Sequence, residues 1–328
     1  MRDPAFWWRP GPSPQALLLA PASLIWGAVA GRRMGRSGAR APVPVICIGN
    51  LTLGGAGKTP TALAAAALLR QAGASPAFLT RGYGGRLPGP LRVEAGHRAA
   101  DVGDEPLLLA RAAPTVVARD RVAGARLAAA GGAGVIVMDD GLQNPSLAKD
   151  LALAVVDGGA GLGNRRVLPA GPLRAPLRAQ WPRIDAVLVI GGGEPGERAA
   201  ADGAAEGKPV LRGRLGPDPG AAAAFRGRRV LAFAGIGRPQ KFFDTLLAAG
   251  AVLEEVRPFP DHHPFTAAEL RDLRDTARRR GLVLTTTEKD AARIGPEAEV
   301  ATLPVRLEVD DPAAWRALLV GALTRPSG

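Results

Sequence analysis

The chain of 328 residues is short of several things, and each shortage removes a class of protein. Its one cysteine, Cys47, excludes a disulfide framework and a cysteine-based zinc site. Three histidines, His97, His262 and His263, leave little room for a His-rich metal centre. Aromatic residues make up 4%, too few for the stacking platforms of a nucleic-acid binder, and no nucleic-acid recognition motif is present. No apolar run reaches the ~20 residues that a membrane-spanning helix needs. Acids are scarce too: 30 Asp and Glu face 42 Lys and Arg, a net charge of +12. That field calls for an anionic partner, whether nucleic acid, a membrane face or a phosphorylated substrate. Only five of the basic residues are lysine in a chain rich in Ala, Gly and Arg, so part of the excess is compositional bias.

The remainder is an ordinary globular composition, 47% hydrophobic and 22% charged. At roughly 100–200 residues per domain, the length suits about two domains. Residues 1–40 carry Arg2, Arg9, Arg32, Arg33, Arg36 and Arg40 against Asp3 alone, a net +5. Between these arginines runs an apolar segment, Ala16 to Ala30, with Trp7, Trp8 and Trp26 near its ends. It contains Pro21 and is followed by arginines, the reverse of a secretory signal. The pattern suits a helix lying in the headgroup region of an anionic leaflet; the alternative is a helix packed on its own domain.

From Val43 onward, short apolar runs alternate with Ala/Leu-rich helical stretches. Strands are expected at Val43–Ile48, Ala77–Thr80, Thr115–Ala118, Gly134–Met138, Ala152–Val156 and Ala186–Ile190, with a helix from about Thr59 to Gln71. Such alternation predicts an α/β fold with a mostly parallel sheet. Gly191 to Ala224 breaks the rhythm and reads as a linker or excursion. A second βα set begins at Arg229–Ala234, with a further strand at Leu282–Thr286. The expected organisation is an N-terminal membrane-associated segment over 1–38, a P-loop domain over 39–215 and a smaller α/β domain over 216–328.

The strongest local signal is Thr52-Leu53-Gly54-Gly55-Ala56-Gly57-Lys58-Thr59, set between a predicted strand and a predicted helix. In a P-loop the glycines let backbone N–H groups curl around the β-phosphate, while the helix N-terminus adds its dipole. Lys58 would reach the β- and γ-phosphates, and the Thr59 hydroxyl would ligate Mg²⁺. The strict pattern has Gly where this chain has Thr52. Gly191, Gly193 and Gly196 also satisfy a dinucleotide pattern, but Pro195 interrupts the loop and no acid ends a clear second strand.

Val135 to Asp139 is an apolar strand ending in Asp139-Asp140-Gly141, the form of a Walker B element; an Asp-Gly turn is the plainer alternative. Gly103-Asp104-Glu105-Pro106 is either a helix cap or a catalytic pair, and the residues alone leave that open. Thr80-Arg81-Gly82-Tyr83-Gly84-Gly85-Arg86 holds the only Tyr and suits an anionic substrate. Asp261-His262-His263 offers an acid–base pair from the second domain. Cys47 is expected to be a buried residue of the P-loop strand.

Taken in order, these strings resemble one family, the tetraacyldisaccharide 4′-kinases of lipid A biosynthesis, over nearly the whole chain. The resemblance rests on Gly49 to Pro60, Arg81-Gly82-Tyr83-Gly84, Gly103-Asp104-Glu105-Pro106 and Asp139-Asp140-Gly141-Leu142-Gln143. It continues through Leu168 to Arg174, Asp261-His262-His263 and Thr287-Glu288-Lys289-Asp290. Thr52 is what this family's loop looks like. The resemblance implies transfer of the ATP γ-phosphate to the 4′-hydroxyl of a tetraacylated glucosamine disaccharide 1-phosphate, giving lipid IVA at the cytoplasmic face of the inner membrane. It implies Asp104 as base assisted by His262, and Glu105, Asp139 and Asp140 organising Mg²⁺. Arg81, Tyr83 and Arg121 would line the phosphate and substrate cleft. The enzyme is expected to be a monomer, peripheral to the membrane. Leu142, Asn144 and Ala175 depart from the family pattern, which often has Phe, His and Glu there. A different reading, a membrane-recruited regulatory ATPase, would want a second loop lysine where Leu53 stands, and gives no reason for the Asp-His-His and Arg-Gly-Tyr strings.

Overall fold

The computed structural model describes residues 3–11, 13–295 and 299–324. The strands are β1 (Val45–Gly49), β2 (Pro76–Thr80), β3 (Leu91–Arg92), β4 (Thr115–Val117), β5 (Val135–Asp139), β6 (Leu151–Asp157), β7 (Ala186–Ile190), β8 (Val210–Pro217), β9 (Arg229–Ala234), β10 (Val252–Pro258), β11 (Val283–Thr286), β12 (Ala301–Thr302) and β13 (Val305–Val309). Nine of them form one sheet in the order β13-β8-β7-β6-β1-β5-β2-β4-β3, and four form a second in the order β10-β9-β11-β12. The large sheet is parallel except at its edges, where β13 runs against β8 and β3 against β4. Its central strands are buried throughout, as strands covered on both faces must be. Alternate residues of β1 feed opposite cores: Val45 and Cys47 one layer, Ile46 and Ile48 the other. Cys47 is therefore a buried core residue, with its thiol pushed up to about 12 by burial.

The helices are α1 (Pro14–Leu18), α2 (Ala20–Met34), α3 (Lys58–Gln71), α4 (Ala99–Val102), α5 (Asp104–Ala110), α6 (Arg121–Ala130), α7 (Leu177–Gln180), α8 (Glu194–Ala205), α9 (Pro219–Ala223), α10 (Pro239–Ala248), α11 (Ala267–Arg280), α12 (Glu288–Ile294) and α13 (Pro312–Gly321). The face that α3 buries, Thr61, Ala62, Ala65, Ala66 and Leu69, repeats at helical spacing, and its small residues bring the helix close to the sheet. α6 starts at Asp120, whose carboxylate accepts the amides of Val122 and Ala123.

The eight expected strands appear at the expected places, within a residue or two. Gly191 to Ala224 is not a linker: it holds α8 and then β8, which pairs parallel to β7 inside the large sheet. The division at residue 216 also needs amending, because the chain crosses back. β13 adds to the large sheet beside β8, and Trp315 and Leu319 of α13 pack into the core that α3 covers. β8, β10 and β13 form no apolar run that marks them in the sequence: β10 and β13 alternate half-buried and exposed residues, and β8 alternates buried Leu211 and Gly213 with exposed arginines. Two glycines of the dinucleotide-like pattern have a packing role. A Cβ on Gly196 would lie 2.5 Å from Gly158 Cα, and one on Gly193 would lie 2.7 Å from Gly158 O.

Candidate active site

β1 stands between β6 and β5, so the crossovers leaving its two sides diverge and open a crevice at its C-terminal end. The glycine loop fills that position. Gly57 enters α3 with φ +89°, a conformation L side chains rarely adopt, and a Cβ there would meet Ile190 Cδ1 at 2.8 Å. Asn50 steadies the loop, its Nδ2 donating to Gly54 O at 3.1 Å. The neighbouring strand is in register so that Asp139 pairs with Ile48 at the end of β1. The Thr59 hydroxyl donates to Asp139 Oδ2 at 3.2 Å, and Lys58 Nζ lies 3.8 Å from Asp140 Oδ2.

Asp139 is almost fully buried and its Oδ1 has no hydrogen-bond partner. Burial, reinforced by the charge of Glu105, pushes this carboxyl well above the usual range despite Lys58. An orphaned buried oxygen beside a loop threonine fits a hard divalent cation, which takes oxygen ligands and completes its shell with water and phosphate. No cluster of three or more His, Cys, Asp or Glu suited to a metal exists among the described residues. A Mg²⁺ that shares its shell with a nucleotide needs none.

Asp140 is held differently. Arg174 donates through Nη2 to Asp140 Oδ2 at 3.0 Å, has Nη1 in ion-pair contact with Oδ1 at 3.0 Å, and donates through Nε to Thr52 O at 2.9 Å. Burial would raise the Asp140 carboxyl, but Lys58 and Arg174 hold it below the usual range. Arg174 thus ties the glycine loop to the acidic turn, a role its place in the Leu168–Arg174 string did not disclose.

Facing this group is the second sheet. Asp104 is the first residue of α5 and is not its cap; only 4% of it is exposed. Its Oδ2 accepts the Arg293 guanidinium, and His262 Nδ1 lies 3.3 Å from the same oxygen. Burial alone would raise the Asp104 carboxyl; the His262 hydrogen bond, Lys289 and Arg293 overcome that and hold it far below the carboxylate range. His262 has φ 55°, a cost of order 1–3 kcal/mol that surrounding contacts must hold. Its amide bonds to Gly235 O at 3.0 Å, and its ring lies 5.6 Å from that of Tyr83. Glu105 pairs with Lys289 at 2.8 Å. Farther along, Asp157 at the end of β6 takes Arg238 at 2.9 Å and Lys241 at 2.5 Å, and the Arg238 guanidinium sits over the Trp8 ring at 5.8 Å. In each of these five pairs, Asp104 with His262 and Arg293, Glu105 with Lys289 and Asp157 with Arg238 and Lys241, the acid comes from the large-sheet side and the base from the small-sheet side.

Of the expected residues, Lys58, Thr59, Asp139, Asp140, Asp104, Glu105, His262 and Tyr83 converge. Arg81 is exposed, and Arg121 lies beneath it, 2% exposed, with its guanidinium on Ala118 O and its Nε unpartnered. Burial and then the charge of Arg81 hold the Arg121 guanidinium below its usual pKa. Asn144 turns its side chain to Ser146 and Ala175 is buried, so neither enters the cleft.

A parallel sheet carrying such a loop at the divergence of its crossovers, with an acid on the loop's threonine, defines a P-loop nucleotide-binding protein. Comparison with known proteins narrows the class. The model of the tetraacyldisaccharide-1-P 4′-kinase family matches residues 15–324, and the chain belongs to that family. A tetraacyldisaccharide 4′-kinase of Methylobacterium sp. (strain 4-46) is 64% identical over 331 residues, covering 100% of both chains. That of Methylobacterium nodulans is 63% identical over 315 residues, covering 96% of this chain and 94% of its own. The crystal structure of "apo" form LpxK from Aquifex aeolicus in complex with ATP is similar at a TM-score of 0.73 and 25% identity, covering 94% of this chain and 99% of that one.

Proposed function

We propose that this protein transfers the γ-phosphate of ATP to the 4′-hydroxyl of a tetraacylated glucosamine disaccharide 1-phosphate, giving lipid IVA. The observation that carries the reading is the Asp104–His262 pair, built from both sheets and set opposite the phosphate loop. Residues 52–59 cradle the phosphates through backbone amides, and Lys58 neutralises charge on the β- and γ-phosphates. Thr59 and Asp139 would hold Mg²⁺, with Glu105 and Asp140 ordering its waters. The bound ion would offset charge on the phosphate oxygens.

Proton removal from the sugar hydroxyl falls to the pair. Asp104, buried and ion-paired, is a poor acceptor alone, but its Oδ2 fixes His262 Nδ1 as the protonated nitrogen. That leaves Nε2, on a ring about one-third exposed, to take the hydroxyl proton. Tyr83 braces the ring, while Arg81 and the buried charge of Arg121 favour the anionic substrate.

The acyl chains bring the enzyme to the membrane. No helix among the described residues is long and apolar enough to cross a bilayer. α2 instead buries Ser23, Gly27 and Met34, while Leu17, Leu18, Leu24, Ile25, Trp26 and Val29 of α1 and α2 face outward. Ser23 Oγ donates to Val167 O at 2.6 Å, and a Cβ on Gly27 would reach Pro176 Cγ at 3.3 Å. The small residues therefore form the docking face and the large apolar ones remain for lipid, with Arg32 and Arg33 in the last turn meeting anionic headgroups. On this reading the enzyme works as a monomer, peripheral to the cytoplasmic face of the inner membrane. The test is Asp104→Asn and His262→Ala with a nucleotide-binding measurement alongside turnover. Both variants are expected to bind ATP normally and to lose about 10²–10⁴-fold in kcat. Near-normal turnover in either would refute the assignment.

A further inference from the structure

Removing the Asp104–His262 pair from view leaves a buried chain of charges behind it that the transfer reaction itself does not require. We propose that Arg293, anchored by Asp290, is the positioning residue for Asp104, so that the base is aligned only when the small sheet is closed on the large one. The proposal rests on the reading of His262 as the base and Asp104 as the acid that orients it.

Arg293 lies on α12, 189 residues from Asp104, with a side chain 11% exposed. One end of its guanidinium reaches Asp104 Oδ2. The other end donates to Asp290 Oδ1 at 2.6 Å and to Gly235 O at 3.2 Å. Asp290 is fully buried and is itself over-determined: its Oδ2 accepts Gly235 N at 2.9 Å and the Thr287 hydroxyl at 2.8 Å. The loop after β9 is shaped around this pair, because a Cβ on Gly235 would lie 3.2 Å from Asp290 Oδ1 and 3.3 Å from Arg293 Nη1. The same loop holds His262 through Gly235 O. One buried anchor in the small sheet thus fixes both the Asp104 carboxylate, through Arg293, and the His262 backbone.

The arrangement has a physical reason. A planar guanidinium offers donors in a fixed fork, so when Asp290 and Gly235 hold one arm, the other defines where the Asp104 oxygen must lie. Asp104 belongs to the large sheet, so this contact exists only in the closed cleft. Without it the carboxylate would still accept Glu105 N at 2.9 Å, but it would lose the reference that aims Oδ2 at His262. Lys289, one turn earlier on α12, pairs with Glu105 and adds to the same docking without touching Asp104 Oδ2.

The test is a double-mutant cycle. Arg293→Met combined with Asp290→Asn removes both halves of the Arg293–Asp290 pair, so that Asp290 is not left as an unpaired buried charge, while Asp104 keeps His262. Steady-state kinetics with ATP and the acylated disaccharide 1-phosphate should show kcat lowered about 10²-fold, with both KM values within about threefold of wild type, as expected for misalignment of a bound reactant. Arg293→Lys keeps the charge and loses the fork, and should recover part of kcat. In an Asp104→Asn background the same Arg293 and Asp290 changes should add less than about threefold, because they act through Asp104. Should the paired variant fail to melt cooperatively, Arg293→Lys alone carries the same comparison with and without Asp104→Asn. Losses that multiply in the double background, a raised KM at constant kcat, or unchanged kcat beside an inactive Asp104→Asn would each overturn the positioning role. Full activity of Asp104→Asn would instead remove the Asp104–His262 pairing on which the proposal rests.

Discussion

The exposed apolar face of α1 and α2 gives a prediction whose size follows from the structure. Leu18 is 82% exposed and Ile25 69%, so nearly the whole of each side chain is available to a bilayer and little of it supports the fold. Burying a Leu or Ile side chain is worth about 1.5–3 kcal/mol. Replacing both by Ser should therefore remove about 3 kcal/mol at the low end, and each 1.4 kcal/mol is tenfold, so binding should weaken about 10²-fold. Co-sedimentation with phosphatidylglycerol–phosphatidylethanolamine vesicles measures that binding directly. Thermal unfolding should stay within a degree or two of wild type, since surface substitutions fall within about 0.5 kcal/mol. Turnover should fall on vesicle-embedded substrate and hold on detergent-dispersed substrate. Unchanged vesicle binding would refute the lipid-facing reading. A large loss of melting temperature would show instead that this face packs on protein.

Other outcomes follow from the site. Gly57→Ala places a Cβ at φ +89° and 2.8 Å from Ile190 Cδ1. It should cost about 1–2 kcal/mol in the backbone alone and raise KM for ATP, read by kinetics and by melting. Asp139→Asn should abolish turnover yet raise the melting temperature of the nucleotide-free protein at neutral pH. The folded Asp139 carboxyl has a raised pKa, so it destabilises the fold increasingly as pH climbs above the unfolded value of about 4. A fall in melting temperature at pH 7.5 would contradict this. Asp157 behaves in the opposite sense. Burial alone would raise it, but Lys241 and Arg238 lower it, so its contribution is present above the unfolded pKa and lost as pH drops below about 4. Asp157→Asn should cost only about 1 kcal/mol at pH 7, because Arg238 and Lys241 are 40% and 60% exposed, and the difference from wild type should shrink on acidification in melting curves.

How much of this was legible beforehand depends on how far apart the partners lie. The glycine loop and Asp139 are short strings whose residue types state their chemistry, and the central strands are apolar runs that announce burial; Asp104-Glu105 reads equally well as a helix cap, and only the family resemblance favours catalysis. Arg174 and Lys289 stood inside recognised strings, but their partners Asp140 and Glu105 are 34 and 184 residues away, and nothing local names them. Arg293 gave one faint signal, its i,i+3 spacing from Asp290 on a helix. The return of β13 and α13 to the first sheet was hidden for a different reason. An edge strand such as Val305-Arg306-Leu307-Glu308-Val309 reads as an alternating strand of any sheet, and only tertiary pairing with β8 assigns it.

The central claim is that this cleft moves a phosphate from ATP to a lipid-linked sugar. Incubation of the purified protein with γ-labelled ATP, Mg²⁺ and the tetraacylated disaccharide 1-phosphate tests it most directly. Label appearing on the 4′ position of the lipid, and disappearing with Lys58→Ala, is the expected result. Release of labelled inorganic phosphate at a rate indifferent to the lipid would contradict it and favour a regulatory ATPase.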